Sequence, residues 1–503
     1  MKKSIQQKLE KGKRSLNERL GPRNWTEQDR PMFQGGNITY EIADRTQAID
    51  CGGLGALHTM VCKLGLPEAI DRNLVLLKRH LPYHESDHVL NMTYNILSGG
   101  TCLEDLELRR NNETYMDALG AERIPDPTTE GDFLRRFETV ERVLCLMEVI
   151  NEIRKRAWKK RAKGKRRDAV IDADGTVSPT DGECKEGMDI SYKGEWGYHP
   201  LIITLANTGE HLYIVNRPGN VVSHDGAAAW LDRAVALVRQ GWTGVCLRGD
   251  TDFSLTQNFD RWDDDKVKFV FGMDAYKNLI EKAESLEKRG WKRLKRPAKY
   301  EVKTEPRQRP ANVKERIVEE RGYENIRLMG EEVAEFEYQP TACNRAYRVV
   351  VLRKKLNGVK GQELMWEDYK YFFYITNRRD LTTEEIVYFA NDRCRHENEI
   401  EQLKNGVHAM KLPAGDLVSN WAYMVIAALA WNLKAWYAQL MPNRKTGKQV
   451  LRMEFRTFLN ALIRIPCQIV KTGRRLVYRF LGYTPWLEDF FETWDVIRGL
   501  RVT

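Results

Sequence analysis

Ala169-Val170-Ile171-Asp172-Ala173-Asp174-Gly175-Thr176 is an apolar run that closes on two acids, a glycine and a threonine. Its length and aliphatic content predict a short buried strand. A period of two places Asp172 and Asp174 on the same face of that strand. Downstream, residues 201–205 and 211–215 predict a hairpin around Asn207-Thr208-Gly209. Residues 227–238 form an alanine-rich amphipathic pattern. Residues 243–247 read as a strand running into Arg248-Gly249-Asp250, with Gly249 letting the backbone turn, and residues 267–271 read as a further strand.

This order of strands and helices is that of an α/β, ribonuclease-H-like catalytic core. The surrounding chain divides around it. Residues 1–157 predict a helical N-terminal DNA-binding region, with helices over 4–20 and through 51–157. Within it, 127–137 reads as a capped helix whose face of apolar residues and arginines suits either DNA or packing in a small helical bundle. The first part of the core spans 158–275. A β-rich insertion carried on the core spans 276–380, with strands over 347–353 and 369–376. The core resumes over 381–440, starting a helix at Thr382, where Glu385 stands at capping-box spacing, and continuing past Lys404. Residues 417–439 read as a buried helix, and 441–503 as a basic helical tail.

The chain has 503 residues, 30% of them charged and 42% hydrophobic, which describes a globular protein with a real core. A net charge of +10 points to a polyanionic partner, and nucleic acid fits better than a membrane. The apolar run 421–431 is too short to span a bilayer, and no signal peptide opens the sequence. Nine scattered cysteines without a Cys-x-x-Cys pair argue against a disulfide framework or a zinc ribbon and for a cytoplasmic protein. His80, His84 and His88 read as solvated or capping residues rather than zinc ligands. Residues 154–167 hold ten Lys or Arg and no acid directly before the first acidic strand. The run, with Arg166 and Arg167 at its end, is expected to touch phosphates.

Three acids stand out as metal ligands. Asp174 and Asp250 lie at strand ends, which are rigid supports. Arg393, Glu397 and Lys404 fall within about 40° of one another at 100° per residue, so one helix face offers a carboxylate between two cations. Carboxylates of this kind suit two Mg2+ or Mn2+ ions, which can activate water and stabilise a leaving phosphodiester oxygen.

These motifs resemble a DDE transposase of a bacterial insertion sequence, in the hairpin-forming branch whose last motif is Tyr-x2-Arg-x3-Glu-x6-Lys. Arg393, Glu397 and Lys404 match that spacing; Ala390 stands where the tyrosine would be, with Tyr388 and Phe389 near but out of register. Asp174 and Thr176 match the first motif. Asp250 and Phe253 match the second, with Asp252 in place of a glycine. Within the branch, Gly197-Tyr198-His199-Pro200-Leu201, Ile375-Thr376-Asn377 and the stretch from Asn398 to Asn405 are similar to insertion sequence family thirteen-eighty. The resemblance implies binding to terminal inverted repeats in double-stranded DNA, cleavage through hairpin ends and joining to target DNA. It also implies a homodimer or larger assembly, and a bacterial, nucleoid-associated location. Arg393, Lys404, Arg248, Lys292 and Arg293 are then expected on DNA, and Trp291 or Trp366 on a flipped base.

The first motif also resembles haloacid-dehalogenase-type phosphatases, with Asp172 as nucleophile, Asp174 as general acid and Gly249-Asp250 as the magnesium motif. A third reading is a catalytically inactive, transposase-derived DNA-binding protein.

Overall fold

A computed structural model describes residues 3–21, 32, 39–41, 46–160, 168–180, 182, 184–296, 324–360, 363–473 and 475–501. Its centre is a nine-stranded mixed sheet. In chain order the strands are β1 (Ala169–Gly175), β2 (Leu201–Leu205), β3 (Glu210–Val215), β4 (Val245–Gly249), β5 (Val267–Met273), β6 (Lys292–Arg293), β7 (Glu324–Tyr338), β8 (Tyr347–Lys360) and β9 (Glu363–Thr376). Across the sheet they run β6-β7-β8-β9-β5-β4-β1-β2-β3. β1, β4 and β5 are mutually parallel; every other pairing is antiparallel.

Every residue of β2, β3 and β4 is buried, as expected of strands covered on both faces. Helix α3 (Ala227–Val238) covers one face. Helix α6 (Leu417–Leu440), whose apolar residues surround it on all sides, packs on the edge strand β3. Such a helix must be wrapped completely. Here β3, α1 (Glu85–Leu97) and α2 (Val140–Lys160) pack against it. The N-terminal helices and the core therefore share one interior.

A buried acid ties these layers together. Glu210 of β3 accepts from Arg154 Nε at 2.9 Å, Trp158 Nε1 at 3.0 Å, Trp436 Nε1 at 2.8 Å and Gln439 Nε2 at 2.9 Å. Arg154 and Glu210 are both fully buried. This corrects the reading of the basic run: its first residue faces the core, not DNA. Residues 161–167, with Arg166 and Arg167, lie outside the described residues.

The strands expected in the β-rich insertion continue the core sheet. Phe373–Thr376 of β9 pair with Val270–Met273 of β5, so β6 to β9 extend the core sheet. The long helix expected from Thr382 past Lys404 is broken. The capping box forms, Thr382 N–H donating to Glu385 Oε2 at 2.8 Å and Glu385 N–H to Thr382 Oγ1 at 3.2 Å. The helix it opens, α4 (Thr383–Asn391), stops there, and α5 (Cys394–Glu401) starts afresh. A π-helical turn over Gln402–Gly406 follows and rotates Lys404 away from ideal α spacing. The basic tail also departs from the helical expectation. Strands Cys467–Thr472 and Arg475–Phe480 form a hairpin, and Cys467 and Gln468 pair with Ile49 and Ala48 near the other end of the chain.

All nine cysteines are free. Among the described residues no helix is long and apolar enough to cross a membrane. His80 and His88 pair with Glu85 and Glu130 respectively; His88 is buried, not solvated.

Candidate active site

Parallel pairing brings the first two acids together. Asp172 of β1 lies in register with Arg248 of β4. Two residues further, Asp174 and Asp250 emerge side by side at the strand ends. Gly249, directly before Asp250, is needed for close approach rather than for a turn. A Cβ there would stand 2.7 Å from Phe253 Cβ and 3.2 Å from the Phe271 ring. Past it, Asp250 caps a short 3₁₀ turn, accepting from Asp252 N–H at 3.1 Å.

The third acid arrives on α5. Arg393, at the junction of α4 and α5, reaches all three carboxylates. Its Nη1 is 3.0 Å from Asp174 Oδ2; its Nη2 is 3.3 Å from Asp250 Oδ2 and 3.7 Å from Glu397 Oε1. One guanidinium thus spans residues drawn from two strand ends and a helix. Crowding shows in Asp250. Burial and the neighbouring carboxylates push its carboxyl from 3.8 up to about 6, although Arg393 pulls the other way.

Asp172 plays a different part. It takes two parallel bonds from Arg248, each 2.7 Å, and both side chains are buried. Arg248 also donates to Phe389 O at 2.7 Å. This corrects the expectation that Arg248 contacts DNA: its donors are spent inside the fold. It equally removes the phosphatase reading, whose nucleophile would be an acid locked in a buried ion pair.

The remaining candidates separate. Lys404 is half-buried, and its Nζ donates to Val177 O at 2.8 Å, just beyond β1. Lys292 and Arg293 are exposed on the edge strand β6. Trp291 lies under Arg353, whose guanidinium carbon is 3.8 Å from the ring centroid. Trp366 is 44% exposed but packs on Gly358 of β8, so close that a Cβ there would meet its ring at 2.2 Å. The two aromatics near the missing tyrosine turn elsewhere: the Tyr388 hydroxyl donates to Lys295 O, and Phe389 lies under Arg248.

Two residues were not singled out for this site from the sequence. His199 is buried beside Gly175, its Nδ1 bonded to Val221 O at 2.6 Å. His396, next to Glu397 in sequence, is fully buried against Glu399. Burial opposes a charge on His396, but Glu399 and Asp172 outweigh it and raise its pKa.

Among the described residues, no group of three or more His, Cys, Asp or Glu is arranged to hold a metal ion as it stands. The donor set nonetheless fits hard divalent cations, being three carboxylates from rigid elements. In this arrangement the acids converge on a guanidinium.

The family model for the transposase DDE domain, group 1, matches residues 44–502. The chain belongs to that family. No curated protein matches it. Among solved structures, it is similar to the piggyBac transposase in a synaptic complex with hairpin DNA. The identity is 10% and the TM-score 0.37, over 82% of this chain and 81% of that one.

Proposed function

We propose that the protein is a DNA transposase that cuts DNA at transposon ends and joins them to target DNA, with Asp174, Asp250 and Glu397 as its catalytic acids. The observation that carries this is the single guanidinium of Arg393 touching all three. The central strand order, with three parallel and two antiparallel neighbours, supports a ribonuclease-H-like core. The same reading takes the finer assignments with it: the hairpin-forming branch, insertion sequence family thirteen-eighty, and a homodimer holding two ends.

Asp174, Asp250 and Glu397 would hold two Mg2+ or Mn2+ ions, which would supply water activation and leaving-oxygen stabilisation. The chain's own contribution is placement. β1 and β4 fix two acids through the sheet ladder, and the buried Arg248–Asp172 pair locks their register. Lys404 ties α5's following turn to the loop after β1. Exposed Lys292 and Arg293 are suited to phosphates, which contribute affinity without sequence information.

The experiment uses purified full-length protein, labelled duplexes carrying the element's own ends, and Mg2+. Nicks and hairpins are expected from the wild type and none from Asp174→Asn, Asp250→Asn or Glu397→Gln. Tight end binding with no nicking in Mg2+ or Mn2+ would instead mark an inactive DNA-binding derivative.

A further inference from the structure

Arg393 and Arg248 sit within the same group of acids yet are held in opposite ways. Arg248 is 2% exposed and makes two 2.7 Å bonds to one carboxylate, the geometry of a permanent pair. Arg393 is 19% exposed and spreads single contacts of 3.0, 3.3 and 3.7 Å over three carboxylates. None of these is bidentate. Its backbone sits at the break between α4 and α5, not in the middle of a helix. One positive charge therefore faces three negative ones through contacts that can be exchanged one at a time.

We propose that Arg393 is a positioning residue with two successive partners. Before metal arrives its guanidinium is the internal counter-cation that keeps Asp174, Asp250 and Glu397 gathered; divalent cations entering the acids displace it, freeing it for a DNA phosphate. This rests on the assignment of those acids as metal ligands. Its physical basis is simple. A guanidinium and a pair of divalent cations compete for the same carboxylate oxygens. Once those oxygens are taken, the guanidinium is repelled by the cations and left with open donors. An arginine presents its donors in a planar fork that suits phosphate as well as carboxylate.

The test is Mn2+ binding to the full-length protein without DNA, measured by titration calorimetry for wild type, Arg393→Gln and Arg393→Lys. Thermal melting of each in chelator accompanies it. Arg393→Gln is expected to bind Mn2+ about three- to tenfold more tightly, because no guanidinium has to leave. Arg393→Lys, with one compact charge, is expected to fall between. In chelator Arg393→Gln is expected to melt below wild type and to gain more from added Mn2+. Equal or weaker Mn2+ binding by a folded Arg393→Gln, with wild type binding normally, overturns the inference alone. Absence of Mn2+ binding in every variant and in wild type overturns the metal assignment and this inference with it.

Discussion

Replacing Asp250 by Asn should make the metal-free protein more stable while abolishing its activity. The folded environment pushes the Asp250 carboxyl up to about 6 from an ordinary 3.8, chiefly through burial and then through Asp174. Keeping it ionised at pH 7.5 therefore costs about 3 kcal/mol relative to the unfolded chain. The side chain is 32% exposed, and solvent screening reduces this to about 1–2 kcal/mol. Asparagine keeps the shape, and its oxygen can still accept from Asp252 N–H, but it carries no charge. The sign follows from the raised pKa. Between about pH 4 and 6 the folded protein holds a proton that the unfolded chain has lost, so wild-type stability falls as pH rises through that window. The advantage of Asp250→Asn should be absent near pH 4, grow through pH 6 and be complete above it. Scanning calorimetry in chelator at pH 7.5 should show a melting point higher by about 1–3 °C. Saturating Mg2+ should raise the wild type more than the variant and close the gap. A variant that melts below wild type in chelator at pH 7.5, or a gap that ignores pH, would contradict a destabilising charge at Asp250.

Other substitutions should separate structural from catalytic carboxylates. Asp172→Ala leaves Arg248 charged and buried, so a loss of about 3–5 kcal/mol is expected in urea unfolding; an unchanged midpoint would contradict the buried pair. Glu210→Ala strands Arg154 and two indole N–H groups in the interior, with a similar expected loss read by the same assay. Trp291→Ala should lower stability by about 1 kcal/mol through its lost packing on Arg353, and leave strand cleavage near wild type in a gel assay; a large cleavage defect in a stable protein would restore a base-stacking role.

Much of the core was legible because its strands are short apolar runs buried on both faces, bounded by glycine or acid. The ends of β1, β2, β3 and α3 lie close to where periodicity puts them. The strand-end positions of Asp174 and Asp250 were legible for the same reason, each closing an apolar run. What failed was long-range or half-exposed. β7 carries Glu331, Glu332, Glu335 and Glu337, whose partners are cations on neighbouring segments. Its strand character comes from pairing along β8, which local sequence does not display. The Cys467–Phe480 hairpin contains Lys471, Arg475 and Arg479, and reads as basic helix until its edge meets Ala48–Ile49. Arg154 and Arg248 look like DNA contacts in a basic chain. Only Glu210 and Asp172, more than fifty residues away in sequence, turn them inward. The break at Asp392 and Arg393 has no proline or glycine to announce it, so a continuous helix was the natural reading.

Crystals soaked in Mn2+ show whether Asp174, Asp250 and Glu397 share metal ions. Anomalous scattering should show two peaks about 4 Å apart among these three carboxylates, with the Arg393 guanidinium withdrawn from them. Peaks elsewhere on the chain, or none among the three acids at saturating Mn2+, would contradict shared metal binding.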